Sequence, residues 1–173
     1  IAKLSPDFVR IYPTMILPKT ELYHFYNEGK YIPMNVETML NHLYNIVSIF
    51  EANEIDIIRL GLYSDGKNTE KDVVGPFHPA TKQIIYSRLY MDMIKNELNK
   101  HSESIDFYVN KKEVDYISGY KSSNRKYLKE LGINSSIFKS DIKERLIIMK
   151  SDKFISELNL KDYCKNYIGE FYE

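Results

Sequence analysis

Phe8-Val-Arg-Ile-Tyr-Pro-Thr-Met-Ile-Leu17, read with Ile55-Asp-Ile-Ile-Arg-Leu-Gly-Leu62, decides the fold class. Both stretches are apolar, rich in β-branched residues and of strand length, and the segment between them is strongly helical. Strand, helical crossover and strand make a βαβ unit, which requires parallel strands covered by helices. Side chains alternate along a strand. Val9 and Ile11 therefore share one face of the first strand, with Phe8, Arg10 and Tyr12 on the other. In the second, strict alternation groups Ile58, Leu60 and Leu62 against Ile57, Arg59 and Gly61. Each strand thus offers an apolar face to helices and a second face carrying an arginine, which suits a barrel lumen or a ligand crevice.

Around these strands the boundaries are well marked. Pro18 stops regular pairing. Thr20 is placed to cap a short helix over 21–28, with Gly29 at its C′ position. Asn35 caps a longer helix over 36–53, whose Met39, Leu40, Leu43, Ile46, Val47 and Phe50 follow the 3.6-residue period. Residues 63–76 are polar and turn-rich and read as a loop. Pro79 opens a helix over 80–99. Beyond it, 105–109 reads as a strand, 113–117 as either a short helix or a strand, and 122–131 as a helix capped by Ser122 or Ser123 and closed by Gly132. Residues 137–139 and 145–149 read as strands, and 152–171 as one or two amphipathic helices carrying Phe154, Ile155, Leu158, Tyr163, Tyr167 and Ile168. The expected division is 1–62, a loop at 63–76, and a small α/β unit at 77–173.

Four short motifs resemble those of radical S-adenosylmethionine (SAM) proteins, in particular the oxygen-independent coproporphyrinogen III oxidase-like group and the catalytic subunit of Elongator. They are Arg10-Ile-Tyr-Pro-Thr14 with Thr20-Glu-Leu22 and Gly29-Lys-Tyr31; Ile58-Arg-Leu-Gly-Leu62; Gly75-Pro-Phe-His-Pro-Ala80; and Gly119-Tyr-Lys121 with Asn124. They keep the family's order from residue 7 to about 132, although Lys19 stands where the family has glycine. The resemblance implies an α/β fold in which the first βααβ part is the end of a TIM-type radical SAM barrel, followed by the small C-terminal unit. It also implies SAM and a [4Fe–4S] cluster in the intact protein, where the reduced cluster cleaves SAM to a radical that abstracts hydrogen from substrate.

Such a cluster needs cysteines, in this family spaced Cys-x3-Cys-x2-Cys. The chain has a single cysteine, Cys164, and begins with Ile1. The expectation is a C-terminal piece of a cytoplasmic bacterial enzyme, an oxidoreductase or transferase, with no cofactor, metal site or activity of its own. Its role would be to close the barrel and help position substrate, and its first partner would be the missing N-terminal half of its own barrel. A homodimer is the alternative use of the exposed strands.

Arg10, Tyr12, Thr14 and Arg59 are the candidate ligand-binding residues. A guanidinium in a barrel lumen can hold a carboxylate or phosphate in bidentate fashion, and TIM-type folds place their sites at strand C-termini, where Tyr12-Pro13-Thr14 lies. The competing reading pairs each arginine with a carboxylate of the missing half and treats Thr14 and Thr20 as turn and capping residues. His78, just before a helix start, reads as a cap rather than an acid, base or ligand, because the other histidines are scattered. The segment 110–129 interleaves Lys121, Arg125, Lys126 and other cations with tyrosines, which suits RNA contact; a non-catalytic RNA- or protein-binding module is therefore the alternative function.

Bulk composition narrows the rest. The 173 residues carry 24 basic and 24 acidic side chains, which argues against a broad nucleic-acid footprint while allowing a local patch. One cysteine excludes a disulfide framework. No apolar run reaches the roughly 20 residues that span a bilayer, so no membrane role is expected. Fifteen tyrosines, no tryptophan and abundant Ile, Lys and Asn match the bias of an AT-rich genome.

Overall fold

A computed structural model describes residues 1–61, 74–98 and 103–172. In chain order the elements are β1 (Phe8–Ile11), α1 (Glu21–Asn27), α2 (Val36–Ala52), β2 (Asp56–Leu60), α3 (Thr81–Glu97), β3 (Ser104–Asn110), α4 (Val114–Ser118), α5 (Ser123–Glu130), β4 (Asn134–Ser140), β5 (Leu146–Lys150), β6 (Ile155–Asn159) and α6 (Leu160–Tyr172). Leu62, most of the 63–76 loop and Asn99 lie outside the described residues.

The capping chemistry operates largely as the sequence indicates. Thr20 Oγ1 accepts the Tyr23 N–H at 3.2 Å, and Asn35 Oδ1 accepts that of Thr38 at 2.8 Å. Each satisfies a donor that the first helical turn leaves without a partner. Gly29 and Gly132 take left-handed φ values of 70° and 78° just beyond α1 and α5. At α5 the expected cap is not made: Ser122 occupies the N-cap position, but no side chain accepts there.

β1 and β2 pair in parallel as a two-stranded sheet, with α2 as the crossover. These strands do not by themselves make a barrel. The register runs Phe8↔Asp56, Val9↔Ile57, then Arg10↔Arg59 and Ile11↔Leu60, so Ile58 is an extra residue bulged out of the ladder. A bulge resets the alternation of side chains, and this corrects the face assignment of β2. Ile57 and Leu60 are buried, and Ile58 is 49% exposed. Val9 and Ile11 pack against the same core as Leu40, Leu43 and Val47 of α2, while Arg10 and Arg59 are exposed. Ile46, counted on the apolar stripe of α2, is also exposed.

The second sheet has the order β4-β3-β5-β6, with β3 and β4 parallel and the other pairs antiparallel. The ambiguous 113–117 segment is helical, as α4. The tail is corrected more substantially: Ile155–Asn159 is a strand, and only Leu160–Tyr172 is helical. The unpaired edge of β5 and a tight turn explain this. Ser151 Oγ accepts the N–H groups of Lys153 and Phe154, the Ser151 N–H donates to the Phe154 carbonyl, and the chain folds back onto β5 as a hairpin.

Ile105, Phe107 and Val109 of β3, with Ile147 and Met149 of β5, bury one face of this sheet against Ile85, Leu89 and Met93 of α3. The same core continues through Leu160 and Cys164 of α6 to Val47 and Phe50 of α2. The bulge is directly testable. Ile57→Ala should cost about 2–5 kcal/mol by urea unfolding, as for other buried truncations. Ile58→Ala should stay within about 0.5 kcal/mol, as for a surface change. Equal losses would contradict the register.

Candidate functional site

The sequence-derived candidates fall into two places. Arg10 and Arg59 are register partners across the β1–β2 ladder and stand on the side away from the buried Ile57 and Leu60. Tyr12 is 47% exposed beyond the end of β1, and Thr14 is also exposed. These four residues therefore share the open side and exit of one small sheet. Thr20 is occupied as a cap and also donates to the Leu17 carbonyl at 2.7 Å. His78 is a local cap: its Nδ1 accepts the Ala80 N–H at 3.0 Å, and its ring meets Tyr120 edge-on at 5.3 Å. Two of the sequence motifs thus touch each other.

Lys121, Arg125 and Lys126 lie at the second place, the turn between α4 and α5, and all three are exposed. Asn124 beside them is buried. Its Nδ2 donates to the Ser87 carbonyl at 2.9 Å and the Tyr116 carbonyl at 3.2 Å, which ties α5 to α3 and α4.

A third place carries none of the sequence motifs. Arg145, just before β5, is the centre of a buried polar network. Its Nε donates to both Glu51 oxygens at 3.0 and 2.9 Å, Nη1 to Glu113 Oε1 at 2.7 Å, and Nη2 to the Tyr86 hydroxyl at 3.3 Å. Its backbone N–H donates to Glu113 Oε2 at 3.0 Å. The Tyr86 hydroxyl donates to Glu51, and that of Tyr90 to Glu113 at 2.6 Å. Tyr116 stacks on Tyr86 at 5.0 Å, and the guanidinium sits 4.7 Å from the Tyr86 ring centre. α2, α3, α4 and the start of β5 are all anchored by this one group.

Electrostatics explain why the arrangement holds. Glu51 and Glu113 are 9% and 1% exposed, and an unpaired buried carboxylate is costly. Burial works against the Arg145 charge, but the Tyr86 and Glu51 oxygens more than offset it and hold the guanidinium above its ordinary range. Lys82, whose Nζ lies 5.7 Å from the Tyr86 ring centre, has its pKa lowered first by burial and then by Arg145. Burial, followed by the neighbouring carboxylates, pushes Tyr86 and Tyr90 well up. The network floors a cleft of about 430 Å³ rimmed by Glu54, Lys143, Glu144 and Lys161. The donors of Arg145 are engaged by protein groups and its tyrosines are held protonated. This is the chemistry of a structural clamp.

The sequence did contain one signal for it. Glu51 follows Val47 by four residues and so falls on the buried stripe of α2, where a carboxylate demands a partner. Glu113 and Arg145 show no such local signal.

Arg145→Met should cost about 3–5 kcal/mol, since it strands two buried carboxylates. Adding Glu51→Gln and Glu113→Gln should restore part of that loss in urea titrations. The network also predicts alkaline sensitivity. Tyr86 and Tyr90 have folded pKa values above their ordinary 10.0, and burial pushes the Cys164 thiol from 9.0 to about 12. Groups that the fold holds protonated ionise more readily once unfolded. Their contribution is complete below the ordinary values and is lost as pH rises through the folded ones. Melting temperature should hold to about pH 9 and fall steadily above it; a flat profile to about pH 11 would contradict the burial of these groups.

Comparison with known proteins agrees with the strand motifs. The family model described as the Radical_SAM C-terminal domain matches residues 6–91. No curated protein and no solved structure matches the chain. The matched stretch includes β1, α1, α2, β2 and the first part of α3, so Arg10, Tyr12, Thr14 and Arg59 lie inside it and the α4–α5 turn lies outside it. Residues 6–91 are thus similar to the C-terminal domain of radical SAM proteins.

Proposed function

We propose that the chain is the closing part of a radical SAM enzyme, in which β1 and β2 complete a TIM-type barrel formed mainly by a preceding half. The observation that supports this is the parallel β1–β2 pair. Parallel sheets normally have both faces covered, yet here Phe8 is 56% exposed and Ile58 49% exposed, with Arg10 and Arg59 beside them. Strands of a preceding half would pair the open edges and turn this face toward the barrel interior. Arg10 and Arg59 would then bind a carboxylate or phosphate of substrate or SAM, and Tyr12 and Thr14 would border the mouth.

The family's cluster does not fit the residues of this chain. Among the described residues, no group of three or more His, Cys, Asp or Glu could hold a metal ion. Cys164 is fully buried on α6, with its thiol pushed up to about 12, the opposite of a ready thiolate ligand. Cluster and SAM chemistry are therefore assigned to the preceding half, and no step of it to these residues. A coproporphyrinogen III oxidase-like or Elongator-like reaction, and a cytoplasmic setting, are the finer readings suggested by the motifs. No helix among the described residues is long and apolar enough to cross a membrane. Two chains pairing through the same open strands is the homodimer reading, and sedimentation at several concentrations separates it from a monomer.

In the anaerobically reconstituted parent polypeptide, Arg10→Ala and Arg59→Ala should each lower substrate-dependent 5′-deoxyadenosine formation by about tenfold or more, the scale of one charge-assisted hydrogen bond. Iron content should be unchanged. Wild-type rates in both variants would remove the arginines from the site, and absence of any 5′-deoxyadenosine from the parent would remove the radical SAM reading.

A further inference from the structure

The motifs at 75–80 and 119–124 meet at a cavity that the barrel reading does not use. Its volume is about 310 Å³, and it is lined by Leu40 of α2, Ser87 and Arg88 of α3, His78, and the turn that leads into α5. None of Arg10, Tyr12, Thr14 and Arg59 lines it. Its walls are set before any ligand enters. Gly119 has φ 83°, and a Cβ there would lie 2.5 Å from the Asn124 backbone nitrogen, so only glycine permits this approach of turn to helix. Asn124 then ties the turn to α3 through the Ser87 carbonyl at 2.9 Å. Small-molecule sites are largely pre-formed in this way, and this volume is at the lower end of their range.

The polar groups of the cavity are donors. Ser87 is 3% exposed, and its hydroxyl has no hydrogen-bond partner among the described residues. A buried hydroxyl without a partner is unusual. His78 accepts the Ala80 N–H at Nδ1, which places the ring proton of that tautomer on Nε2, ready to donate. Arg88 binds Asn41 and Glu37 through its Nη groups at 3.2 Å; its Nε–H is a further donor. The Glu37 carboxylate is two-thirds exposed, and such surface pairs are weak. Asn124 has no capacity left to accept a ligand donor well, since Ser123 Oγ already donates to its Oδ1 at 3.3 Å. None of the described residues that line the cavity is acidic. Leu40 and Ile84 make the remaining wall apolar.

We propose that this cavity binds a small monocarboxylate with an apolar body, such as a medium-chain or aromatic acid. The carboxylate accepts from the Ser87 hydroxyl and His78 Nε2, and Arg88 supplies the cation that a buried anion requires. The apolar body lies against Leu40 and Ile84. Water would satisfy Ser87 equally well, but would leave the apolar wall without a matching partner; a carboxylate on an apolar stem satisfies both. A single cation, itself shared with Glu37, suits a monoanion better than a doubly charged phosphate. Binding involves no cofactor and none of the residues assigned to the barrel mouth, so the proposal stands or falls separately from the radical SAM reading.

The test is a titration of the intact chain with benzoate, hexanoate and acetate, followed by protein NMR shifts and thermal melts. Benzamide and benzylamine serve as the neutral and cationic counterparts of benzoate. Benzoate and hexanoate should saturate, acetate should bind more weakly for want of an apolar body, and benzamide should bind about tenfold more weakly for want of charge. Ser87→Ala should weaken benzoate binding about five- to tenfold, the scale of one hydrogen bond to a charged group. The free Ser87→Ala chain should melt no lower than wild type, because the hydroxyl it removes makes no bond in the fold. Arg88→Gln should weaken benzoate by about tenfold or more and leave benzamide unchanged. No saturation by benzoate or hexanoate below about 10 mM would show a cavity that holds only water and would overturn the proposal. So would benzylamine binding as tightly as benzoate, acetate binding as tightly as hexanoate, or a folded Ser87→Ala chain that binds benzoate like wild type. A lower melting temperature of the free Ser87→Ala chain would assign the hydroxyl a structural bond and overturn it as well.

Discussion

The guanidinium of Arg145 is the group on which the arrangement of the helices depends. Glu51 comes from α2, Glu113 precedes α4, and Tyr86 and Tyr90 project from α3; Arg145 and its backbone N–H bind or brace all of them. Two carboxylates at this depth would be strongly destabilising without a cation. With it, they set the directions of three helices at once. Such networks contribute less to net stability than to selecting one packing among several of similar apolar burial, because an alternative packing leaves charges unpaired.

This clamp also joins the two sheets. The match to the Radical_SAM C-terminal domain ends within α3, at residue 91, and Tyr86 and Tyr90 lie in its last stretch. Their hydroxyls reach a carboxylate on either side: Glu51 inside the matched region and Glu113 outside it. α3 is therefore shared between the β1–α2–β2 unit and the four-stranded sheet. α6 strengthens the connection by packing along α2, where Tyr163 and Tyr44 hydroxyls meet at 2.8 Å.

The helices and most strands were legible in the sequence because their signals are local. Asn35 and Thr20 cap through bonds to residues three positions on, and the α2 stripe follows one period along one element. The errors share one physical origin. Strict alternation misassigned Ile57 and Ile58 because a bulge is a property of the pair, settled only when β1 is laid beside β2. Residues 155–159 read as helix because their apolar positions fit either period, and the free edge of β5 decided for strand.

By itself the sequence determined the parallel βαβ beginning, the capped helices and the motifs of a radical SAM C-terminal region. It also placed Lys121, Arg125 and Lys126 in one basic segment, since all of these are written in short runs of neighbouring residues. Only the tertiary structure decided that Glu51, Tyr86, Glu113 and Arg145 form one network, that Arg10 and Arg59 are register partners, and that the unpaired Ser87 hydroxyl lines the cavity beside Asn124. Those relations join residues up to 94 positions apart. Nothing local to any one of them encodes its partner, because the partner is chosen by the depth and direction at which separate elements pack.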